Sequence, residues 1–497
     1  MRGGRFARLL LLSASMWAGH SARPQQPFDL DTTFRTEVNT WYVSSLAPLP
    51  DGRVFLSGMI RFPGDPGGSF RGSAMLLADG SRDLSFPVFP LTTGAGKVTP
   101  WNDQYYVATT QTVRRLDEDC LIDPSFIHMN NDPYFSSLQG GDYHVYPDGR
   151  ILMSGVHNLS DSIRGFEGQY CLVWFSNTGY LDTTKTHRTC AGSLDFFTEL
   201  PNGQFIGCLG NPPNTASWEG EPTGSNVIRF SADGEWDPTF QTNVWWGTAF
   251  GFLPLEDGRV YASGNFRITG DPDTLHLVRF MPDGSVDPTF NNHLDFRVLD
   301  LTGPYGAVLG RSIYPLDASR LIVTGAFELV QGMSRQGICL IDSSGTLLDE
   351  YFSGPGCGDY TYQGFTYGGV EGITPAPDGS WYIWGAYHGY DDGTANDTLQ
   401  RMVSRLYGLD VGMREHQERT AIRAFPNPTS VGFRLEGYPL DEELVLALYD
   451  RVGQEVAAWP PMPGNSDFYL GALLPGLYTV RIACDGQAIA HIKLVMQ

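Results

Sequence analysis

The residues best suited to contact a ligand are aromatic and acidic. Trp245 and Trp246 are adjacent, and neighbouring side chains of an extended segment point in opposite directions, so at least one ring is expected to face outward, where it can stack on a sugar. Clustered carboxylates could supply the acid and base of a glycosidase or bind calcium. These carboxylates are Asp117 and Asp119, and Asp391, Asp392 and Asp397.

Familiar catalytic motifs are absent from the sequence. It contains no H-E-x-x-H, no G-x-S-x-G and no Gly-rich phosphate loop, the motifs that would indicate a metalloprotease, a serine hydrolase or a nucleotide-binding enzyme. The 7 cysteines include no C-x-x-C pair, which argues against a thiolate zinc site. We therefore predict no catalytic residue, no cofactor and no metal site, and the sequence favours a protein that is not an enzyme.

A repeated unit organises most of the chain. Its clearest copies end at Asp237-Pro-Thr-Phe240 and Asp287-Pro-Thr-Phe290, each preceded by an apolar-x-Arg-Phe strand and an Asp-Gly turn. The first landmark, Asp-x-x-Phe or a variant of it, starts at Asp31, Asp83, Asp123, Asp182, Asp237, Asp287 and Asp349. The second, usually Asp-Gly before a β-rich run, starts at Asp51, Asp103, Asp148, Asn202, Asp257, Asp317 and Asp378. The step of about 53 residues is close to the ~50-residue period of kelch-type propeller blades.

The physical properties of the repeat fit a propeller blade. Asp-Gly supplies the positive-φ turn of a tight hairpin, so the recurring Asp is interpreted as a turn former rather than a ligand. The runs after it, such as Arg53–Leu56, are nearly all apolar, as expected where both faces of a sheet are covered. Large aromatics such as Trp381 and Trp384 are expected to pack between blades. The sequence thus predicts an all-β fold with a seven-bladed β-propeller over residues 27–408.

The repeats are offset at the two ends of this region. The last apolar-x-Arg strand, Met402–Leu406, is followed by Gly408-Leu-Asp410 and has no Asp-x-x-Phe of its own. The missing element occurs at Asp31-Thr-Thr-Phe34. An N-terminal segment that completes the final blade would close the ring and remove its exposed sheet edges.

These residues resemble the delta-60 repeat family, a propeller-type repeat of bacterial secreted proteins in which Leu-Asp-x-x-Phe precedes an Asp-Gly hairpin. The resemblance covers roughly residues 27–408 and is strongest at residues 227–290. The sequence departs from the pattern at Asp182-Thr-Thr-Lys185, where Lys replaces Phe, and at Asp317-Ala-Ser-Arg320, where the Gly is missing.

The N-terminus and the charge point to an exported protein. Arg2, Arg5 and Arg8 precede an apolar run and then small residues near Ser21 and Ala22, which is the layout of a secretory signal peptide over residues 1–22. No segment is apolar for the ~20 residues that a bilayer requires, so no transmembrane segment is predicted. A net charge of −22 repels phosphate backbones and makes nucleic acid an unsuitable partner.

A different pattern begins after a polar linker at residues 409–423. Strand-like runs separated by Gly, Pro and Asp turns fill residues 424–497 and predict a small Ig-like β-sandwich. The order F-P-N-P-T, L-Y-D-x-x-G, L-x-x-G-x-Y and a final K-L-V resembles the type A C-terminal sorting domain of the type IX secretion system. The matching positions include Phe425, Pro426, Asn427, Pro428, Gly453, Gly476, Tyr478 and Lys493.

This second resemblance implies a Gram-negative protein that the general export route carries across the inner membrane and type IX secretion carries across the outer one. The type IX machinery would then be a partner of the C-terminal domain. The protein would be released or attached to the outer cell surface. An ordinary Ig-like accessory module is the alternative interpretation of residues 424–497.

The cysteines leave the disulfide pattern open. Export to an oxidising compartment permits a bond such as Cys190 to Cys208 or Cys339 to Cys357, and buried free thiols are the alternative. The odd count leaves at least one thiol free.

For function, the sequence favours a secreted or surface-attached propeller that binds a protein or glycan partner through loops at one end of the ring, with Trp245 and Trp246 as candidate ligand-binding residues. The alternative is a polysaccharide-active hydrolase or lyase with its site in the central depression, where side chains from all blades converge. An inert structural component of the cell envelope is a third hypothesis.

Overall fold

The apolar runs after the Asp-Gly turns form β-strands, and strands account for nearly all regular structure of the chain. The computed structural model describes residues 25–67, 69–91, 94–210, 214–300, 302, 310–391, 400–409, 423–436, 443–450, 454–463, 466–471, 473–484 and 487–497. Within these ranges the only helix is a 3-10 turn at Met129–Asn131, and no helix there could span a bilayer. The all-β prediction is confirmed. The predicted signal peptide, and the linker between Leu409 and Arg423, lie outside the described residues.

Internal contacts divide the chain into two compact units. One is Pro27–Leu409, and the other contains Asp410–Gln497. The strands of the larger unit are β1 (Thr40–Pro48), β2 (Val54–Arg61), β3 (Arg71–Leu76), β4 (Val98–Trp101), β5 (Gln104–Ala108), β6 (Val113–Leu116), β7 (Phe135–Val145), β8 (Ile151–Asp161), β9 (Phe166–Phe175), β10 (Leu194–Glu199), β11 (Phe205–Leu209), β12 (Ser217–Trp218), β13 (Glu221–Pro222), β14 (Val227–Phe230), β15 (Val244–Pro254), β16 (Val260–Ile268), β17 (Leu275–Phe280), β18 (Phe296–Arg297), β19 (Ser312–Pro315), β20 (Arg320–Thr324), β21 (Leu329–Val330), β22 (Met333–Ser334), β23 (Ile338–Asp342), β24 (Leu347–Leu348), β25 (Tyr360–Tyr362), β26 (Phe365–Tyr367), β27 (Gly369–Pro375), β28 (Trp381–His388) and β29 (Arg401–Leu406).

Among the described residues of this unit, seven larger antiparallel sheets follow one another, and each is formed by one successive repeat of the sequence. In chain order they are β1-β2-β3, β4-β5-β6, β7-β8-β9, β10-β11-β14, β15-β16-β17, β19-β20-β23-β24 and β27-β28-β29. We number them first to seventh. Most third strands gain a further partner through a single bridge just before the Asp-x-x-Phe element, such as Phe230 with Trp236 and Phe280 with Val286.

Hydrophobic clusters join each sheet to the next. Val54 and Leu56 of β2 belong to the cluster between the first and seventh sheets, whereas Phe55 between them belongs to the cluster between the first and second. Alternate side chains of one strand therefore enter different cores, because successive side chains of a strand point to opposite faces. The remaining neighbours share clusters in the same way. This explains why these strands are almost entirely apolar.

The N-terminal segment completes the seventh sheet. Leu30 forms an antiparallel bridge with Leu406, and the Asp31 N–H donates to the Arg405 carbonyl at 2.9 Å. β1 also lies against β28 of the seventh sheet. The row of sheets therefore closes on itself, and the two ends of the unit meet in one sheet.

The recurring Asp residues are turn formers in the described structure. Asp31 accepts hydrogen bonds from both the N–H and the hydroxyl of Thr33, and Asp51 accepts the N–H of Arg53 at 3.0 Å. Equivalent bonds recur at Asp83, Asp123, Asp148, Asp182, Asp237, Asp257, Asp287, Asp317 and Asp378. These side chains replace a backbone turn bond, which fits their repetition.

An arginine on the third strand reinforces several repeats. Arg115 donates to Asp123 of its own repeat at 2.7 Å and to the Asn177 carbonyl of the third sheet at 2.6 Å. Arg279 likewise donates hydrogen bonds to Asp287 of its own repeat and to the Ser343 carbonyl of the sixth sheet. A guanidinium has enough donors for both bonds, so one side chain fixes the Asp-x-x-Phe turn and ties it to the neighbouring sheet.

The smaller unit contains two sheets around one core. Its strands are β30 (Arg423–Phe425), β31 (Gly432–Glu436), β32 (Glu443–Tyr449), β33 (Glu455–Pro463), β34 (Asp467–Tyr469), β35 (Gly476–Cys484) and β36 (Gln487–Met496). The strand orders are β30-β31-β34 and β33-β32-β35-β36. Phe433 and Phe468 of the first sheet share a hydrophobic cluster with Leu446, Leu448 and Ile482 of the second.

Unequal burial predicts an unequal effect of two substitutions in the same motif. Phe34 of the closing segment is fully buried, so Phe34→Ala should reduce the free energy of unfolding by about 3–5 kcal/mol. Phe86, at the same motif position in the first sheet, is half-buried, and Phe86→Ala should cost about half as much. Urea unfolding followed by tryptophan fluorescence measures both. Equal losses would contradict the difference in burial between the two side chains.

The arginine–aspartate pairs predict acid sensitivity. Burial alone would raise the pKa of Asp123, but hydrogen bonds from Ser125 and Arg115 and the Arg115 charge lower it to about 2, below the ~3.9 of an unfolded chain. The resulting stability is present above pH ~4 and is lost as the pH falls towards 2. We expect the thermal midpoint to fall over this range, and to fall less steeply in Asp123→Asn. The exposed Glu118→Gln is the control, and an unchanged slope in Asp123→Asn would contradict the assignment.

Candidate functional site

The two ends of the ring differ in the length of their connections. At one end each first strand joins the second through a short turn, such as Leu49–Arg53 and Leu255–Arg259. The connections from second to third strands lie at the other end. The connections from one sheet to the next start beside the short turns and finish at that other end. Both kinds are longer, for example residues 210–226 and 349–368. We call that other end the loop end. Function concentrates on loops that a rigid scaffold positions, so the loop end is the better candidate surface.

Extra secondary structure is found at the same end. The hairpin β12–β13, the small sheet β18-β21-β22 and the hairpin β25–β26 all lie within loop-end connections. They extend the surface around the start of each first strand.

Trp245 and Trp246 lie at the loop end, at the start of β15. Both are part of this strand. Trp246 pairs with Arg267 of β16, and the Arg267 guanidinium carbon lies 5.6 Å from the Trp246 ring centre and 6.0 Å from that of Trp245. Trp246 is 37% exposed and Trp245 is half-buried. We call these three residues the tryptophan patch.

A polar cavity adjoins the tryptophan patch. Arg267 contacts the Thr274 hydroxyl at 3.4 Å, and Thr274 lines a cavity of about 300 Å³ between residues 273–276 and 292–296. His293 of this cavity lies 3.3 Å from the Asp271 carboxylate and 3.4 Å from that of Asp273. The possible ligand atoms of Asp271, Asp273 and His293 all lie within 4.8 Å of one another. Among the described residues, this is the group with a spacing that suits a metal ion. Its largely exposed side chains also fit a simple imidazole–carboxylate contact.

The first strands surround the axis of the ring, because neighbouring ones lie against each other, as do β7 and β10, and β10 and β15. Several carry a β-bulge, which redirects a side chain. The bulges away from the strand starts fall at Ser44, Gly141–Asp142, Asp195, Phe250 and Glu371, and two more lie near the starts of β7 and β15, at Leu138 and Trp245. Charged and aromatic side chains therefore gather near the axis, a feature that the sequence analysis did not identify.

Most of the described axial carboxylates are neutralised by a cation from the preceding sheet. Lys97 lies 2.9 Å from Asp142, and Arg311 lies 2.6 Å from Glu371. Arg311 also lies 5.2 Å from the ring centre of Phe250. These contacts link the innermost strands around the ring.

Asp195 is the exception among the axial carboxylates. Its hydrogen bond comes from the Ser193 hydroxyl, and no ion pair involves it among the described residues. Burial raises the pKa of Asp195 against the opposing effect of Ser193. A carboxyl of this kind can hold a proton nearer to neutral pH, which is a property of general acids.

The other acidic groups singled out in the sequence have structural contacts. Asp117 accepts the N–H groups of Asp119 and Leu121, so it forms a turn. Asp391 accepts the Gly356 N–H at 2.7 Å. Asp392 and Asp397 lie outside the described residues. Of the aromatics assigned to packing, Trp381 is buried and Trp384 is half-buried against the cluster between the first and seventh sheets.

The F-P-N-P-T segment of the smaller unit is held against the last strand. The Asn427 side chain donates to the Lys493 carbonyl at 2.7 Å and accepts the Val495 N–H at 2.9 Å. Thr429 continues the contact through backbone bonds to Val495 and Gln497. The N-terminal and C-terminal motifs of this unit thus contact each other directly.

The remaining residues of the sorting-domain motifs do not form a common cluster among the described residues. Gly476 opens β35 opposite Met496, and the Tyr478 hydroxyl donates to the Leu474 carbonyl at 2.8 Å. Phe425, Pro426 and Pro428 are exposed, and Gly453 lies outside the described residues.

A β-propeller family model matches part of the ring. It describes a domain of unknown function, DUF5122, and matches residues 255–290. The match begins at the turn before β16 and ends at Phe290, so it spans an Asp-Gly hairpin and an Asp-x-x-Phe element. The chain therefore contains a β-propeller sequence unit. A search of characterised proteins finds no match.

Several solved structures are similar at low identity. The extracellular domain of a protein described as a hybrid two-component system from B. thetaiotaomicron is 11% identical with a TM-score of 0.42, covering 92% of this chain and 57% of that one. PorZ, a surface component of the type-IX secretion system of Porphyromonas gingivalis, is 12% identical with a TM-score of 0.28, covering 92% and 81%. The GH74 xyloglucanase from Xanthomonas campestris is 11% identical with a TM-score of 0.39, covering 82% and 59%. This chain spans less than two thirds of the first of these structures, and likenesses at this level carry no functional argument.

The Asn427 contacts predict a local effect of substitution. Asn427→Ala removes both side-chain bonds to β36 and should destabilise the smaller unit by about 1 kcal/mol, because the site is exposed. Asn427→Asp keeps the acceptor for Val495 but loses the donor to Lys493, so its effect should be smaller. Hydrogen exchange of the Val495 amide in the full chain reports the difference. Unchanged exchange in Asn427→Ala would contradict this role.

Proposed function

We propose that this chain is a secreted or surface-attached seven-bladed β-propeller that binds a glycan through the tryptophan patch at its loop end. We propose further that it is exported by type IX secretion, with residues 424–497 as an Ig-like sorting domain that engages that machinery. The outer surface of a Gram-negative bacterium is the corresponding location.

Three observations support seven blades. The larger unit has seven main sheets in sequence order, hydrophobic clusters join each sheet to its neighbours, and the bridge from Leu30 to Leu406 closes the row. A ring of this kind leaves no long exposed sheet edge. The family match at residues 255–290 and the resemblance to delta-60 repeats agree with this proposal.

Two observations support export. Residues 1–22 have the charged, apolar and small-residue layout of a signal peptide. Residues 425–429 and 493–495, two separate motifs of the sorting-domain resemblance, contact each other in a two-sheet unit through Asn427. A shared contact gives a physical reason for both motifs to occur in one sequence.

The exposed ring of Trp246 is the observation on which the binding function rests. Large aromatics elsewhere in the ring are mostly buried between sheets, where burial alone accounts for them. Trp246 instead remains 37% exposed at the loop end, although full burial of its ring would be favourable. Arg267 lies against this ring, and a polar cavity lies beside it. The site therefore combines an apolar ring face with hydrogen-bonding groups. A sugar likewise has an apolar ring face and hydroxyl groups.

Catalysis has weaker support than binding. A glycosidase needs one carboxylic acid and one free carboxylate on either side of the scissile bond. At the axis Asp142 and Glu371 are paired with Lys97 and Arg311, which leaves Asp195 as the single carboxyl with a raised pKa. The axial charges are therefore better explained as links between sheets.

Substitution in the tryptophan patch tests the proposal. On an array of plant, algal and bacterial polysaccharides, we expect the full chain to bind at least one. Trp246→Ala should weaken that binding tenfold or more, equivalent to about 1.4 kcal/mol, with an unchanged thermal midpoint. Phe365→Ala is the matched control, because Phe365 is also exposed at the loop end but lies on the separate hairpin β25–β26.

Two outcomes would contradict the proposal. Failure of the wild-type chain to bind any polysaccharide would exclude a glycan partner of these classes. Shortened products in the same incubations, lost in Asp195→Asn and retained in Trp246→Ala, would show that the protein is an enzyme with its site at the axis.

A further inference from the structure

The described cysteines are distributed over the hydrophobic clusters between sheets, and two of them share one. Cys120, Cys208, Cys339 and Cys357 each lie in a different cluster. Cys171 and Cys190 both belong to the cluster between the third and fourth sheets. Cys171 is buried in this cluster and Cys190 packs against it, and both are free thiols in the structure.

The pairs considered from the sequence are not brought together. Cys190 lies on one face of the fourth sheet and Cys208 in the cluster on its other face. Cys339 and Cys357 are separated in the same way by the sixth sheet. Short separation along the chain does not bring two side chains together when they face different sheet surfaces.

Local strand pairing explains why Cys171 and Cys190 meet. The N–H groups of Cys171 and Leu172 on β9 both donate to the Arg188 carbonyl, at 2.9 and 3.2 Å, so the segment with Cys190 runs along β9 with an irregular step. Cys190 itself forms a bridge with Trp218. The pair therefore lies where the outer segment of the third sheet meets the fourth.

This is also the repeat that lacks its aromatic anchor. The Phe of Asp-x-x-Phe is buried in five of the other repeats: Phe34, Phe126, Phe240, Phe290 and Phe352. In the third sheet Lys185 takes this position and reaches the exposed Asp233 at 2.8 Å. An exposed ion pair contributes little stability. The other attachment of this segment to the fourth sheet is polar, because the Arg188 side chain donates to the Asp233 carbonyl at 2.7 and 3.1 Å.

We propose that Cys171 and Cys190 form a disulfide bond that fastens the outer segment of the third sheet in place of the missing aromatic side chain. Such a bond would close the loop that contains Asp182 and Lys185. Disulfides stabilise mainly by restricting the unfolded chain. The proposal rests on the proposed export only for access to an oxidising compartment.

The chemistry is a thiol–disulfide exchange with an oxidised dithiol protein or a small disulfide. Cys190 is partly exposed, whereas Cys171 is 2% exposed and burial raises the pKa of its thiol. Cys190 therefore attacks the oxidant first, and one sulfur of the oxidant leaves as a thiolate. Cys171 then displaces the second sulfur. Two protons and two electrons leave the cysteines, and the oxidant becomes two thiols.

Peptide mapping of the full chain tests the bond directly. The purified chain is incubated with oxidised glutathione, its remaining thiols are alkylated in denaturant, and the digest is analysed by mass spectrometry. We expect a linked peptide containing Cys171 and Cys190, and a fall from 7 alkylated cysteines to about five. Seven alkylated cysteines, or a link between any other pair, would overturn the proposal.

Stability gives a second readout that variants can check. Reductant should lower the thermal midpoint of the oxidised chain by roughly 3–6 °C and should have no effect on Cys190→Ser. Cys208→Ser, a buried thiol in the adjacent cluster, is the matched control and should keep the response. Peptide mapping of the wild-type chain decides the question even if a variant does not fold. Because the oxidation is performed on purified protein, a negative result says nothing against export or glycan binding.

Discussion

The structure of the larger unit depends on one constraint, which is that every main sheet must bury both faces. Val54, Phe55 and Leu56 show how this is met, because consecutive side chains enter two different cores. No sheet is then stable without both neighbours, and the row of sheets must close. The turn-forming Asp residues and the Arg115 and Arg279 contacts serve this arrangement, since they hold the outer turns where the next sheet begins.

Features that depend on local sequence could be predicted. The Asp-Gly and Asp-x-x-Phe positions mark turns, and turns are determined by a few adjacent residues. The offset between Asp31–Phe34 and Met402–Leu406 correctly indicated which segment meets Leu406. The Asp-x-x-Phe element is missing after the last strand and present before the first one, and this can be seen in the sequence alone.

Features that depend on strand register could not be predicted. The axial charges arise at bulges such as Asp195 and Glu371, and one extra residue in a strand has no signature in a single sequence. The two cysteine pairs suggested by the sequence are not formed for a related reason. Whether Cys190 and Cys208 face the same side of the fourth sheet depends on strand register, which the sequence does not reveal. The reciprocal bonds of Asn427 required knowing that β36 lies beside residues 427–429.

The joining of Leu30 to Leu406 has a consequence for the order of folding. The first segment of the ring finds its partner only in the last sheet, so its contacts span almost the whole unit, and contacts of such length form late. While the chain is synthesised from its N-terminus, residues 27–34 have no sheet to join and the first sheet keeps one apolar face uncovered. The ring can therefore be completed only after residue 406 is available, so every partly formed ring exposes at least one apolar sheet face.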